Sequence, residues 1–165
     1  MSKVDHIFGL IADAHGEVGR TRAAVRLLKE KGATAFIFLG DAETTAVLDS
    51  FTGLRTWVVF GNCDDELDLA DYARSIGLEV VHPLGQLHID GQVLAFTHGH
   101  LDECISTAFA NGAAYLLHGH THRRRDDRIG ETRVINPGAL ARAHPASAAV
   151  LDVFTDEVSF VEIPP

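Results

Sequence analysis

The stretch AFIFLGD, residues 35–41, is a short run of apolar residues that stops at a glycine and an aspartate. A run of this length and composition is typical of a strand that is buried on both faces of a parallel sheet. An earlier strand is predicted at residues 4–11 and a later one at residues 56–60, while residues 18–31 carry apolar side chains at helical spacing. This part of the sequence therefore predicts strands and helices in alternation.

The alternation continues to Gly77 and then gives way to a different pattern. Helices are predicted near residues 44–51 and 66–76, and this order predicts a parallel sheet covered by helices. Asp90-Gly91 is a strong hairpin signal between strands at residues 87–90 and 92–97. The remaining predicted elements are a helix near residues 103–110 and strands at residues 113–117, 132–135, 148–154 and 158–163. Residues 1–165 are expected to form one α/β domain, parallel in its first half and mixed or antiparallel in its second.

The composition excludes several classes of protein. With 165 residues, 46% of them hydrophobic, the chain is able to bury a substantial core. Its formal net charge of −9 opposes broad attraction to nucleic-acid backbones or anionic lipid. Since no apolar stretch is long enough to cross a bilayer and residues 1–6 lack a secretory signal, we expect a cytoplasmic protein without a membrane partner. The two cysteines, Cys63 and Cys104, cannot supply a disulfide framework.

One cluster of charge departs from this acidic average. The run Arg123-Arg124-Arg125 is followed by two aspartates and Arg128. We interpret it as a solvated loop whose charges compensate one another, and a role in steering an anionic substrate is the alternative. If the protein is an enzyme, residues 102–111 and 123–130 are the loops expected to set its specificity.

Polar residues gather where the predicted strands end. These residues are Asp13, His15, Asp41, Asn62, His98, His120 and His122. In α/β sheets the loops at the carboxyl ends of parallel strands meet in one crevice, where ligands bind. The side chains that follow these strands are therefore expected to lie close together.

The spacing of two pairs strengthens this expectation. Asp13 and His15 are two residues apart, as are His120 and His122, and in extended backbone such residues point to the same side. The whole set offers three or four oxygen ligands and four imidazoles, which is what two metal ions need if one carboxylate bridges them.

Each polar residue taken alone also has a structural interpretation. A histidine at a strand end often makes an ordinary hydrogen bond. Asp41 could be a helix N-cap, as could Asp64 or Asp65 for the following helix, and Asn62 could serve a turn. Ligand-competent side chains at five strand ends nevertheless favour the metal interpretation.

The motifs around these residues resemble those of the calcineurin-like metallophosphoesterases, especially the small bacterial and archaeal phosphodiesterase branch. The family signature is a series of blocks, D-x-H, G-D, G-N-[H/C]-[D/E], H-G-H and G-H-x-H. All five stand here in that order, at residues 13–15, 40–41, 61–64, 98–100 and 119–122. The resemblance implies a four-layer α/β/β/α sandwich, in which two mixed sheets are flanked by helices.

The same resemblance implies a role for each residue. It assigns two sets of three metal ligands and one bridging carboxylate: Asp13, His15 and His122; Asn62, His98 and His120; and Asp41. His100 would lie beside the metals near the phosphate, and a hydrogen bond to a neighbouring ligand is the alternative. The cofactors would be two divalent ions, with manganese expected first and iron, zinc or nickel as alternatives.

Two positions depart from the family pattern. Much of the family has a histidine after the asparagine, which is thought to protonate the leaving group, whereas this chain has Cys63. A thiol could donate a proton, but we expect Cys63 to be a buried small apolar residue instead. The stretch Asn136-Pro137-Gly138 resembles a late family loop that is usually followed by Ser or Thr, and Ala139 removes any hydroxyl contact there.

The function implied is hydrolysis of small phosphodiesters by attack of a metal-bridging hydroxide on phosphorus. Asp41, Asn62 and His100 are then the expected catalytic residues, and Cys63 is a weaker candidate. Activated aryl esters are expected to react faster than alkyl esters. The alternatives are a non-catalytic metal-binding scaffold or docking subunit of the same fold, as in an endosomal sorting coat, and a nuclease, which the net charge disfavours. A homo-oligomer is compatible with the sequence.

Overall fold

The computed structural model describes residues 5–165, and strands and helices alternate along its first half. The helices are α1 (Val18–Glu30), α2 (Thr45–Asp49), α3 (Glu66–Ser75) and α4 (Asp102–Ala110). The strands are β1 (Ile7–Ile11), β2 (Ala35–Phe38), β3 (Thr56–Val58), β4 (Glu79–Val80), β5 (Leu84–Ile89), β6 (Gln92–Thr97), β7 (Tyr115–Leu117), β8 (Arg124–Ile129), β9 (Thr132–Pro137), β10 (Ala146–Asp152) and β11 (Glu157–Ile163).

The first sheet has the strand order β11-β10-β1-β2-β3-β4. Strands β1 to β4 are parallel, and β10 runs antiparallel to both β1 and β11. The register places Phe8 beside Ala35 and Phe36 beside Thr56. Because β1, β2 and β3 point in one direction, the loops that follow them emerge at the same edge of the sheet.

The second sheet has the strand order β5-β6-β7-β9-β8. Strands β6, β7 and β9 are parallel, and the hairpins β5–β6 and β8–β9 add an antiparallel strand at each side. Asp90 and Gly91 form the predicted turn of the first hairpin, with positive φ angles of 49° and 77°. Both residues must adopt this conformation for the turn to match the twist of the strands.

Three separate cores hold four layers together. One core packs the helices α1, α2 and α3 on the first sheet, with Phe36 and Phe51 fully buried. A second fills the space between the sheets, and a third packs α4 on the outer face of the second sheet. Two mixed sheets flanked by helices are the α/β/β/α sandwich that the motifs imply, so the fold prediction is confirmed.

The segment from Arg123 to Gly130 is where the prediction of a solvated loop is wrong. Residues 124–129 form the edge strand β8, which pairs with β9. Its sequence RRDDRI has no apolar alternation because most of the strand is exposed, and charge on an edge strand discourages pairing with another chain. The charges do compensate one another, for example between Arg125 and Asp127 and between Arg133 and Asp126.

Other differences concern the bounds of elements. Val4, where the first strand is predicted to begin, lies outside the described residues, and β1 begins at Ile7. The hairpin strand β5 begins at Leu84, three residues earlier than predicted. The helix predicted near residues 103–110 is present as α4, so the description of residues 102–111 as a loop is wrong. Within residues 5–165, no helix has the length and apolar character needed to span a membrane.

Candidate metal centre

The seven predicted ligands all lie in loops that follow parallel strands of the two sheets. The strands and the residues that follow them are β1 with Asp13 and His15, β2 with Asp41, β3 with Asn62, β6 with His98, and β7 with His120 and His122. The first three strands belong to one sheet and the last two to the other. The two sheets therefore contribute opposite walls of one site.

The backbone of these loops is left-handed rather than extended. Positive φ angles between 41° and 70° occur at Asp13, His15, Asp41, Glu43, His120 and His122. The expectation that the two-residue spacing works through extended backbone is therefore wrong, although the side chains do converge. The left-handed conformation is costly for non-glycine residues, by about 1 kcal/mol or more each, and such residues concentrate at functional sites.

Four of the side chains meet in one cluster. The ligand atoms of Asp13, His15, Asp41 and His122 all lie within 4.8 Å of one another. Oδ1 of Asp13 is 3.4 Å from Nε2 of His122 and 4.0 Å from Nε2 of His15. Two carboxylates and two imidazoles directed at one point are a donor set that suits several divalent transition metals.

His98 joins this cluster from the second sheet. Its Nδ1 lies 2.6 Å from the carbonyl oxygen of Leu39, so Nδ1–H can donate there and leave the Nε2 lone pair free. Nε2 of His98 lies 3.3 Å from Oδ2 of Asp41, and that oxygen is 3.6 Å from Nε2 of His15. Asp41 therefore stands between the two histidines, which is where a carboxylate shared by two ions would have to be.

Two atoms of the cluster are buried without a hydrogen-bond partner in the described part of the chain. They are Oδ1 of Asp13 and Nε2 of His98, and both residues are fully buried. Leaving such an atom unsatisfied costs about 1–3 kcal/mol. A divalent cation would accept electron pairs from both atoms, so the residues present fit a bound metal ion.

The two carboxylates differ in acidity. Burial raises the pKa of Asp13 to about 7, and the neighbouring Asp41 carboxylate adds to this rise. Burial also acts upward on Asp41, but the adjacent His98 imidazole and the hydrogen bond from the Cys63 backbone outweigh it and lower the pKa of Asp41 to about 2. At neutral pH Asp41 is therefore ionised, whereas Asp13 is near its midpoint in the absence of a cation.

Gly61 makes room for the Asp41 carboxylate. A Cβ atom at position 61 would lie 2.0 Å from Oδ1 of Asp41 and 2.8 Å from its backbone nitrogen. The backbone N–H of Cys63 donates to the same Oδ1 at 3.0 Å. The glycine of the G-N-C-D block thus lets the loop after β3 close over the loop after β2.

His100 and His120 form a second group of imidazoles on the side of His98. The ring centres of His98 and His120 are 5.1 Å apart, and the ring of His100 lies 5.3 Å from that of His98. The His120 backbone N–H also donates to Oδ2 of Asp13 at 3.0 Å. Burial and the nearby His98 and His120 lower the pKa of His100, which keeps its ring neutral at pH 7.

Asn62 lies at the exposed side of the site. Its side-chain nitrogen is 3.7 Å from Sγ of Cys63. The next residue, Cys63, donates its backbone N–H to the Asp41 carboxylate, so the hydrogen bond fixes the backbone beside Asn62. Its role as a ligand stays a prediction.

Cys63 is exposed, so the expectation of a buried apolar residue is wrong. Its sulfur belongs to a group with His15 and Glu43 in which the ligand atoms lie within 4.8 Å of one another. Partial burial raises the pKa of the thiol, and the carboxylates of Asp41 and Glu43 raise it further. The thiol therefore keeps its proton at neutral pH, at the mouth of the site.

Two carboxylates near the centre carry roles that the sequence does not reveal. Oε1 of Glu43 lies 2.6 Å from Nδ1 of His15, and it orients that ring. Asp64 accepts hydrogen bonds from the backbone N–H groups of Asp41, Glu43 and Gly61 at 2.8, 2.7 and 2.9 Å. Glu43 follows Asp41 at the same two-residue spacing as the other pairs, a signal that could have indicated it.

The alternative that these aspartates cap helices is correct for Asp65 and wrong for Asp41. Thr44, not Asp41, caps α2, and its side chain accepts from the Val47 N–H at 3.4 Å. Asp65 caps α3, where it accepts from the Asp68 N–H at 3.5 Å. Asp41 is therefore not held in place by a capping role.

Asn136 supports the loop that carries His120 and His122. Its side-chain nitrogen donates to the carbonyl oxygen of Gly119 and to Oγ1 of Thr121, both at 3.0 Å. The neighbouring Ala139 is buried and takes part in the loop through its carbonyl oxygen, which accepts from the Ser147 N–H. The stretch Asn136-Pro137-Gly138 thus supports the loop of His120 and His122 from behind.

The family model of the calcineurin-like phosphoesterase superfamily domain matches residues 7–156. The chain belongs to this superfamily. The resemblance that the five motif blocks carry is therefore confirmed, and so is the prediction of a phosphoester hydrolase at the level of the family. The matched region contains every residue of the cluster described above.

Two curated relatives are similar to this calcineurin-like chain. Phosphodiesterase MJ0936 of Methanocaldococcus jannaschii is 27% identical over 135 residues, which cover 79% of this chain and 81% of that protein. Phosphodiesterase YfcE of Escherichia coli is 27% identical over 159 residues, which cover 86% of this chain and 84% of that protein.

Solved structures of this superfamily share the fold at low sequence identity. A structure described as a novel archaeal phosphodiesterase superposes with a TM-score of 0.85 at 22% identity and covers 95% of this chain and 99% of its own. Vacuolar protein sorting 29 from Cryptosporidium parvum superposes with a TM-score of 0.65 at 15% identity and covers 96% of this chain and 97% of its own. The fold alone therefore does not separate a hydrolase from a sorting protein.

Proposed function

We propose that this protein is a metal-dependent phosphodiesterase that hydrolyses small phosphodiesters at a two-metal centre. The observation that supports this most strongly is the position of Asp41, whose Oδ2 lies 3.6 Å from Nε2 of His15 and 3.3 Å from Nε2 of His98. A carboxylate between two imidazoles from different sheets is suited to bridging two ions. The phosphodiesterase names of both curated relatives agree with this substrate class.

The residues divide into two sets around that bridge. Asp13, His15 and His122 would hold one ion, since their ligand atoms already cluster with that of Asp41. Asn62, His98 and His120 would hold the other, with His98 supplied from the opposite sheet. When bound, two divalent ions would supply a nucleophile at neutral pH and stabilise charge on the phosphoryl oxygens, and manganese is our first choice among the metals that suit these donors.

The protein's own contribution is to hold these donors in their reactive ionisation state. Asp41 is ionised at neutral pH because His98 and the Cys63 backbone lower its pKa to about 2. Burial and the neighbouring His15 lower the pKa of His122, so its nitrogen lone pair is available. Glu43 fixes the His15 ring through a contact of 2.6 Å, and this positioning reduces the reorganisation that binding requires.

His100 and Cys63 are the groups available to handle the substrate. His100 lies 5.3 Å from His98 between ring centres, and its ring would be the imidazole that contacts a phosphoryl oxygen. Cys63 carries its proton at the mouth of the site. Because a thiol with a raised pKa is a weak acid, we expect good leaving groups to depart faster than poor ones.

The non-catalytic scaffold stays the alternative within this fold. The donor set argues against it, because every position of the five motif blocks that is assigned to a metal carries a side chain able to bind one. We further propose that residues 1–165 form a single domain acting in the cytoplasm, without a membrane or nucleic-acid partner.

The test is metal analysis of the purified protein coupled to turnover of bis(p-nitrophenyl) phosphate. Protein stripped with a chelator and reloaded with manganese, iron, zinc or nickel is assayed for release of p-nitrophenolate. We expect about two ions per chain and turnover that follows loading. Two bound ions without turnover for any of the four metals would support the scaffold instead.

A further inference from the structure

A groove opens beside His122, on the side where the metal centre meets solvent. Among the four clustered ligands, the side chain of His122 is 21% exposed, whereas that of His15 is 3% exposed and that of Asp13 is fully buried. The groove has a volume of about 340 Å³, and its lining consists of His122, Arg123, Arg124, Ala143, His144, Pro145 and Ser147. A part of a substrate that extends from the metals past His122 would enter this groove.

The charge of the groove opposes that of the protein as a whole. The chain carries a net charge of −9, yet two arginines and two histidines line this one cavity. Arg124 is already engaged, with Glu162 at 3.5 Å and the ring of Phe160 at 5.6 Å. Within residues 5–165, by contrast, the Arg123 guanidinium forms no ion pair, so its charge is available to a ligand.

The rest of the lining favours a short carbon chain. Ala143 and Pro145 supply apolar surface, and the buried Ser147 hydroxyl is occupied by the carbonyl oxygen of Pro137 at 2.8 Å. A cavity of about 340 Å³ is at the small end of ligand pockets and does not suit a polymer. The groove therefore fits a few methylene groups that end in an anion.

We infer that the groove between Arg123 and His144 binds a second anionic group of the substrate, so that the preferred substrates are small phosphodiesters with a carboxylate or phosphate on one arm. This inference rests on the proposed function, because it places the scissile phosphate at the metal centre. The inference agrees with the alternative interpretation of the basic run at residues 123–125, in which this run steers an anionic substrate. Arg123 would be the residue responsible.

The experiment compares product-like monoesters that differ in one charge. Binding of ω-carboxyalkyl phosphates with two to four methylene groups, and of uncharged alkyl phosphates of equal length, is measured by calorimetry on the manganese-loaded protein. Because calorimetry measures binding and not turnover, the result does not depend on which ester bond of the diester is cleaved. For at least one chain length, we expect the carboxylated monoester to bind about fivefold more tightly than the uncharged monoester. A partly exposed ion pair can provide a difference of this size.

Two variants and a matched control decide whether Arg123 is responsible. Arg123→Glu should abolish or reverse the preference for the carboxylated monoester, and the milder Arg123→Gln should reduce it. Arg22→Glu makes the same change of charge at an exposed arginine of α1, away from the groove, and should keep the preference. Equal affinity for both monoesters in the wild type, or an unchanged preference in both Arg123 variants, would overturn the inference.

Failure of the proposed function would be visible separately. If manganese-dependent turnover of bis(p-nitrophenyl) phosphate occurs but the monoesters bind equally, the groove inference alone is wrong. If the preference exists without turnover for any metal, the groove binds anions as inferred and the phosphodiesterase proposal is wrong.

Discussion

Nε2 of His15 and Nε2 of His122 lie 3.3 Å apart, although the two residues are separated by 107 positions in the chain and belong to loops of different sheets. Two neutral imidazole nitrogens at this distance repel unless a proton or a cation lies between them. Oδ1 of Asp13 approaches the same point, at 3.4 Å from His122. The fold thus places the lone pairs of three side chains around one point where a divalent ion can bind. Neighbouring residues hold these side chains in position.

Removal of the negative charge of Asp41, the proposed bridging carboxylate, is the most direct change. We expect Asp41→Asn to lower bound metal from about two ions per chain to one or none and to abolish turnover of bis(p-nitrophenyl) phosphate, because an amide does not bridge two cations. The fold should persist, since the amide oxygen can still accept from the Cys63 N–H. Metal content, turnover and the circular dichroism spectrum are measured on the same sample, with the exposed Asp68→Asn as control. Normal turnover with two ions in Asp41→Asn would show that the bridge is assigned to the wrong residue.

The raised pKa of Asp13 predicts a pH-dependent cost in the metal-free protein. The folded-state pKa is about 7 and the ordinary value is 3.8, so between these values the folded state retains a proton that the unfolded state has lost. Stability relative to Asp13→Asn therefore falls as the pH rises from 4 to 7 and is constant above that range. The full shift corresponds to at most about 4 kcal/mol in the free energy of unfolding.

Urea unfolding of the chelator-treated wild type and Asp13→Asn at a series of pH values measures this difference. Above pH 7, manganese should make the wild type more stable than Asp13→Asn, because the ionised carboxylate then binds a cation that the amide binds poorly. A gap between the two proteins that stays constant from pH 4 to pH 8 would contradict the assigned acidity of Asp13.

Adjacent aspartates provide a matched test of loop positioning. Asp64→Ala removes the acceptor of three backbone N–H groups, from Asp41, Glu43 and Gly61, and should lower the free energy of unfolding by about 2–4 kcal/mol. Asp65→Ala removes one capping contact of α3 and should cost about 1 kcal/mol. Calorimetric titration with manganese should show weaker binding in Asp64→Ala and wild-type binding in Asp65→Ala. Equal metal affinity in both variants would mean that Asp64 does not position the ligands.

The residue at position 63 is predicted to control leaving-group dependence. Cys63→His places an imidazole at the mouth of the site, where it can donate a proton more readily than a thiol whose pKa is raised. We expect kcat/KM for phenyl methyl phosphate to rise by about tenfold or more, with a much smaller change for p-nitrophenyl methyl phosphate. Cys63→Ala should leave both rates nearly unchanged, and a large loss on phenyl methyl phosphate in that variant would instead identify the thiol as the proton donor.

Residues 35–41 and the segments on either side determine the fold class from the sequence alone. Short apolar runs that end at Gly-Asp or Gly-Asn specify buried parallel strands, because burial on both faces leaves no place for polar alternation. This pattern does not predict strand β8, whose sequence is RRDDRI. The strand lies at the edge of its sheet, where hydrogen bonds to β9 stabilise it and its side chains need not be apolar.

The residue types at the centre are also readable from the sequence, since ligands must be carboxylates, imidazoles or amides placed at strand ends. Their geometry is not, because it depends on left-handed backbone at Asp13, His15, Asp41 and Glu43, which a spacing of two residues does not reveal. Neither are the hydrogen bonds of Asp64 or the exposure of Cys63, because both depend on how the loop after β3 folds over the loop after β2. Local pattern decides which residues are buried and which are polar, whereas the face-to-face packing of the two sheets decides which polar groups meet, and at what distance.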